Sequence, residues 1–350
     1  MPKVLTFEKA MQKANALKGP KGGSLRKHLL LGNGFSIALK PDIFTYASLF
    51  KKANFSKHPE IAQVFDHLDT HDFEEVIFGL ESAASVLSCY LAESEAIQRK
   101  MHSDAQAIKE ILVKTIAGNH PPRPNDVDEK KLISCANFLK GFLDSEGKIY
   151  TLNYDLLLYW VLMHNKDIFS KIVDDGFRTD EDDPQAEWVI WNDGDSPRQN
   201  VYYLHGALHL FDAGHQLHKY TWNRTDVPLI DQARAAIAAD KFPMFVSESS
   251  SEKKLTKIEH SGYLHKGLRS LRSIQGSLFI YGLSLSDNDE HIVESIERGK
   301  IAHVFIGLYG DPDTDTNKRI VSRANKMTRS RAKGSLQAHF FDSQSAKVWG

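Results

Sequence analysis

The sequence predicts an α/β fold: a parallel sheet with helices on both faces and a helical insertion between its first two strands. Three observations lead there. Short apolar runs of strand length alternate with segments of helical spacing. Residues 46 to 143 carry helical spacing only. Polar residues cluster just past the ends of the apolar runs, where open parallel sheets bind ligands.

The elements follow in chain order. Residues 6 to 18 place Phe7, Met11, Ala14 and Leu17 at helical intervals, and Gly19-Pro20-Lys21-Gly22-Gly23 ends that helix. His28-Leu29-Leu30-Leu31 reads as a strand buried on both faces. It runs into Gly32-Asn33-Gly34-Phe35-Ser36. Glycines at 32 and 34 permit positive φ and close approach to a ligand. A helix start after them is expected to aim unpaired amides and a positive dipole end at a phosphate. The full Gly-x-Gly-x-x-Gly fingerprint is absent, because position 37 is Ile.

The helical block follows, with Asp72 as a candidate cap for the set Phe73, Val76, Ile77 and Leu80. It is expected to cover the crevice or bind a partner. Lys148 to Leu152 is the next strand and ends in Asn153-Tyr154-Asp155; Leu156 to Met163 is apolar. Residues 174 to 199 read as an acidic surface excursion. Val201 to Leu204, Pro243 to Val246, Ser277 to Gly282, Ile301 to Leu308 and Leu336 to Phe341 complete the strand set. Alternation of this kind is Rossmann-like. The expected division is residues 1–27 as helix and linker, 28–45 with 144–350 as the nucleotide-binding domain, and 46–143 as the insertion.

Composition narrows the function. The net charge of −1 argues against a nucleic-acid footprint. Two cysteines, Cys89 and Cys135, read as reduced buried thiols and exclude a four-cysteine zinc site. No signal-peptide hydrophobic region or apolar run of spanning length is present, so a cytoplasmic protein is expected. His205, His209, His215 and His218 lack a completing carboxylate pattern, and no metal is expected. The basic stretch Lys318 to Lys333 reads as a solvated helix face.

Each polar island also has a structural account. Asn153 and Asp155 suit an Asx turn, His205 a core histidine, and Ser284, Asp287 and Asp289 helix caps. Taken in order, however, Gly32-Asn33-Gly34-Phe35-Ser36, Thr151-Leu152-Asn153-Tyr154-Asp155, Leu204-His205-Gly206 and Gly282-Leu283-Ser284 resemble the sirtuin superfamily. Sirtuins carry a Gly-Ala-Gly-x-Ser loop, a Thr-Gln-Asn-Ile-Asp strand end, a catalytic His-Gly and a Gly-x-Ser strand end. The version here is more similar to the sirtuin-like domains of bacterial anti-phage defence proteins, as is Phe73-Glu74-Glu75-Val76.

That resemblance implies an NAD glycohydrolase that breaks the nicotinamide–ribose bond, with NAD as substrate. The missing cysteines set it apart from zinc-bearing deacetylases. It implies catalytic roles for His205 and Asn153. Gly32, Asn33, Gly34, Phe35 and Ser36 are then expected at the diphosphate. Asp155, Gly282, Ser284 and Asp287 are expected at ribose or in ordering the loops. An ordinary histidine pKa near 6.5 would suit His205 as a base. A homo-oligomer, and a separate sensor or ATPase subunit, are the expected partners. The rival expectations are an NAD or ADP-ribose sensor without turnover, another nucleotide enzyme, and a structural subunit.

Overall fold

The computed structural model describes residues 3–19, 22–194, 196–331 and 335–350. Pro20, Lys21 and Lys333, which fall within expected segments, lie outside them. The strands are β1 (Val4–Thr6), β2 (Lys27–Leu31), β3 (Ile149–Thr151), β4 (Phe177–Arg178), β5 (Trp188–Trp191), β6 (Val201–Tyr203), β7 (Leu210–Asp212), β8 (Leu217–Tyr220), β9 (Gln275–Tyr281), β10 (Lys300–Leu308) and β11 (Gln337–Asp342). Seven form one sheet in the order β1-β11-β10-β9-β2-β3-β6, with every pairing parallel. This is the Rossmann-like α/β architecture the alternation predicts.

Register explains why both faces are apolar. Leu29, Ile149 and Phe279 share one row, and Phe305 continues it. On that face Phe279 stacks on Phe305 at 4.5 Å and meets Phe142 at 5.3 Å. Phe142 belongs to the helix Glu129–Leu143, and Phe7, at the start of Phe7–Ala16, meets Phe138 of the same helix. The next row is Leu30, Tyr150, Tyr202 and Ile280, which points the other way. Tyr150 there bonds Ser270 of the helix Gly262–Ser273. On the same helix, a Cβ at Gly267 would come within 2.8 Å of Leu204. Helices therefore cover both faces.

Between β2 and β3 the chain is helical, as expected, with Tyr46–Lys52, Pro59–His67, Phe73–Leu87 and Glu95–Asn119 as its main helices. Asp72 caps Phe73–Leu87 by accepting from the Glu74 amide at 2.9 Å. The insertion has no core of its own. Phe65, Phe73 and Ile108 join the same buried cluster as Leu30 and Phe305. Its expected last helix, Glu129–Leu143, is a sheet-covering helix.

Several expectations are corrected. Pro243 to Val246 is not a sheet strand: Phe245 makes one antiparallel bridge to Gly206, and Pro243 has no amide to donate. Residues 174 to 199 supply β4 and β5. With β7 and β8 these make a four-stranded antiparallel sheet in the order β4-β5-β8-β7. Of the histidine-rich segment, His218 lies on β8 and His215 between β7 and β8, whereas His205 and His209 lie between β6 and β7. The short runs around Val4 and Leu217 gave too little alternation to stand out. Cys89 is exposed and only Cys135 is buried. Among the described residues no helix is long and apolar enough to cross a membrane.

At the sheet's centre Gly282 has φ +72, and a Cβ there would lie 2.6 Å from the Gly34 Cα. Gly282→Ala should cost about 1–3 kcal/mol in backbone strain, with overlap adding to it. Gly214 has φ +85 but open space around it. Urea unfolding should show Gly282→Ala losing clearly more stability than Gly214→Ala. Equal losses would mean that the glycine contact is not tight.

Candidate active site

The strand order places the switch point of the sheet between β2 and β9. From β2 the chain moves through β3 to β6 on one side, and from β9 through β10 to β11 on the other. The loops leaving β2 and β9 diverge there and open a crevice. Their backbones lock together first. Gly32 N–H donates to Tyr281 O at 2.9 Å, and Gly34 N–H to Gly282 O at 2.8 Å. A Cβ at Gly32 would sit 2.6 Å from Gly282 O, and one at Gly34 2.5 Å from Gly282 Cα.

This alters the expected role of the glycine turn. Gly32 and Gly34 do not take positive φ; of the three, only Gly282 does. Their lack of a side chain serves loop-to-loop packing. The amides of Phe35, Ser36 and Ile37 pair with Gly32 O and Asn33 O, so the expected row of unpaired donors is not formed. The helix that follows, Gly34–Leu39, has six residues. Asn33 is exposed beside the crevice, and its side-chain amide donates to Phe44 O.

Beneath the turn lies a buried polar knot. Asn153 Nδ2 donates to Ser36 Oγ at 2.9 Å, and Ser36 donates to Asp155 Oδ2 at 2.5 Å. Asp155 Oδ1 accepts the Leu157 amide at 2.8 Å. Burial pushes the Asp155 carboxyl above its ordinary range, against the Ser36 and Leu157 bonds that stabilise its charge. Asp155 thus ties the β2 turn to the β3 turn, and it also lines the crevice. Phe35 is also structural. Its ring packs on Trp349 at 4.9 Å, and its carbonyl accepts the Trp349 indole N–H.

His205 follows β6 and is 3% exposed. Gly206, at φ +81, makes the turn behind it, where a Cβ would overlap Met244 O. The carbonyl of His205 accepts from the Val246 amide at 2.9 Å. Its Nε2 lies 2.9 Å from Nε2 of His291, with ring centroids 5.1 Å apart. Burial, His291 and the Lys254 charge hold His205 well below the ordinary histidine value. Burial, Lys254 and Arg272 bring His291 down to about 3. Both rings are therefore neutral at pH 7, and the expectation of an unperturbed His205 is corrected.

Lys254 is 1% exposed and lies on the helix Ser251–Glu259. Its ammonium meets Glu74 Oε2 at 2.8 Å and Asp289 Oδ1 at 3.5 Å. Burial alone would lower Lys254, but the two carboxylates outweigh it and hold the lysine charged. Burial and the Asp289 charge lift Glu74 to about 7, against the pull of Lys254. His205, Asp289 and His291 offer ligand atoms within 4.8 Å of one another. The two imidazole nitrogens face each other, and the ammonium already occupies Asp289. That arrangement suits a hydrogen bond and an ion pair.

These groups converge on one cavity of about 1060 Å³. Gly32, Asn33, Gly34, Asn153, Asp155, His205, Gly282 and Ser284 line it. Ser36 and Phe35 lie behind the wall. Asp287 is exposed on a short 3-10 turn, and its neighbours Ser286, Asn288 and Asp289 face the cavity instead. The insertion supplies a wall through Tyr46, Leu112 and Ile116, together with Glu74. Sequence reasoning missed Lys254, Ser251 and His291. No spacing could single them out, since His291 lies 86 residues beyond its partner.

Fold and site together define a parallel α/β protein with a polar, histidine-bearing crevice at the switch point of its sheet. The chain belongs to the family described as a domain of unknown function, DUF4917, whose model matches residues 29–349. No curated protein matches it.

The raised Glu74 pKa has a sign for stability. The folded protein retains a proton that the unfolded chain releases near pH 4.5, so this contribution is lost as pH rises through about 7. Compared with Glu74→Gln, the wild type should lose stability between those values. Urea unfolding of both proteins across that window checks it, and parallel pH profiles would refute it.

Proposed function

We propose that this protein hydrolyses the nicotinamide–ribose bond of NAD, releasing nicotinamide and ADP-ribose or a cyclised form of it. The supporting observation is convergence. Asn153, His205, the Gly32–Gly34 turn and the Gly282–Ser284 turn come from four strand ends and line a single cavity. The motif order that resembles sirtuin-like defence domains supports NAD as the substrate. As an effector, the protein would drain cellular NAD during phage infection. A free hydrolase would harm its host, so gating by oligomerisation or by a separate sensor or ATPase subunit belongs to the proposal.

The chemistry needs little from the protein. Nicotinamide leaves neutral from a cationic ring, so no acid is needed on the leaving group. The ribose passes through an oxocarbenium-like state, as in glycoside hydrolysis. Asn153 has its Nδ2 committed to Ser36, which leaves Oδ1 to orient water or the ribose edge. His205 takes the proton of the attacking water. Ser284 and Asn33, both exposed at the cavity, are the groups that would meet the ribose and diphosphate.

A second reading is a sensor that binds NAD or ADP-ribose without cleaving it. The paired amides of the glycine turn and the low basicity of His205 favour it. Turnover separates the two. Purified protein with NAD, resolved by chromatography, should release nicotinamide. His205→Ala should lose about 10²–10⁴-fold, the usual contribution of a general base, and Asn153→Ala should also lower turnover. Binding with no release, unchanged by His205→Ala, would favour the sensor. Absence of both release and binding would leave a structural subunit.

The pH profile is a separate check. A histidine held well below 6.5 stays neutral through mild acid. Turnover should therefore hold its level between about pH 7.5 and pH 6. A fall centred near 6.5 would show that His205 titrates as an exposed histidine does.

A further inference from the structure

His205 is not alone in the crevice. Behind it His291 presents Nε2 at 2.9 Å, and Nδ1 of His291 lies 3.1 Å from Ser251 Oγ. The backbone N–H of His291 donates to the same Ser251 Oγ at 2.6 Å. The three residues come from the turn after β6, the helix Glu290–Glu297 and the start of the helix Ser251–Glu259.

Hydrogen-bond bookkeeping then constrains the protons. One N–H lies between the two Nε2 atoms, since two lone pairs cannot face each other at that distance. Ser251 Oγ has two lone pairs and faces two nitrogens of the same residue. If both donate, Oγ is fully used as an acceptor, and its own O–H is left for solvent at a half-buried position. His291 then carries its proton on Nδ1 and accepts at Nε2. His205 carries its proton on Nε2, and its Nδ1 keeps a free lone pair.

We propose that His291 and Ser251 are positioning residues that fix the tautomer of His205, so that its Nδ1 lone pair is the group that meets the water in the cavity. This rests on the hydrolase reading for its consequence, but not for its geometry. In the reaction a water O–H bond breaks and its oxygen bonds to the anomeric carbon. The carbon–nitrogen bond breaks with its electron pair going to the nicotinamide ring, and the proton passes to His205 Nδ1. The resulting imidazolium already has its other N–H accepted by His291. It then returns the proton to solvent as product leaves, which accounts for the one proton released per NAD cleaved. The role resembles that of the third member of a hydrolase triad, played here by a neutral imidazole.

Long-range ¹H–¹⁵N correlation spectra of the histidine side chains test the assignment without any substrate. The wild type should show His205 protonated at Nε2 and His291 at Nδ1. His205 protonated at Nδ1 would overturn the proposal. In turnover, His291→Ala should lower kcat at least about tenfold with KM little changed, as loss of part of a general base's contribution predicts. His291→Gln, whose amide oxygen can accept from His205, should recover much of the loss. Full activity in His291→Ala, or equal loss in the Gln and Ala variants, would also overturn it. A wild type that neither binds nor cleaves NAD would sink the hydrolase reading and leave the spectra to decide the tautomer.

Discussion

The contact between Gly32, Gly34 and Gly282 constrains the rest of the site. Two loops leave neighbouring strands at the centre of the sheet and cross at backbone distance, with no room for a side chain on either. The crevice exists because they then diverge. Asn33 and Ser284 line the cavity on loops held by these glycines. The Ser36–Asn153–Asp155 knot performs the same task one layer down, tying the β2 turn to the β3 turn through buried hydrogen bonds. Such networks are worth their desolvation only when every member is satisfied, and here Ser36 and the Leu157 amide use both Asp155 oxygens.

Much of this arrangement was legible in the sequence, and the reason is local. A buried parallel strand is a continuous apolar run, so Leu29 to Leu31 and Ser277 to Tyr281 stood out. Polar residues just after such runs mark the ligand-binding end of the sheet, which located Asn153 and His205. The glycine turn is legible as a turn, but the packing it serves is not. Its glycines serve the neighbouring loop, and a loop 250 residues away leaves no mark on the local pattern. Asp287 follows the same strand end as Ser284 in the sequence. A 3-10 turn rotates it to solvent, and only its neighbours reach the cavity.

What stayed hidden was electrostatic. Lys254 sits in the polar run Ser251-Glu252-Lys253-Lys254, yet it is among the most buried large side chains. Its burial is tolerable because Glu74 and Asp289 arrive from elsewhere in the chain. The same ammonium helps keep His205 and His291 neutral. Beside a fixed positive charge both histidines rest in the neutral form, and so do not repel each other. Spacing carries no trace of such a balance, because it depends on three distant elements meeting.

Glu74 gives the insertion a role beyond covering the crevice. It comes from Phe73–Leu87, whereas Lys254 and Asp289 belong to the sheet-bearing part of the chain. The ion pair therefore crosses between the two. If the insertion moved away, Lys254 would lose its closest carboxylate and gain access to water. Its charge would then act on His205 and His291 through a different dielectric, and the cavity would lose the wall formed by Tyr46, Leu112 and Ile116. The Glu74–Lys254 pair thus ties the insertion to the electrostatic surroundings of the two histidines.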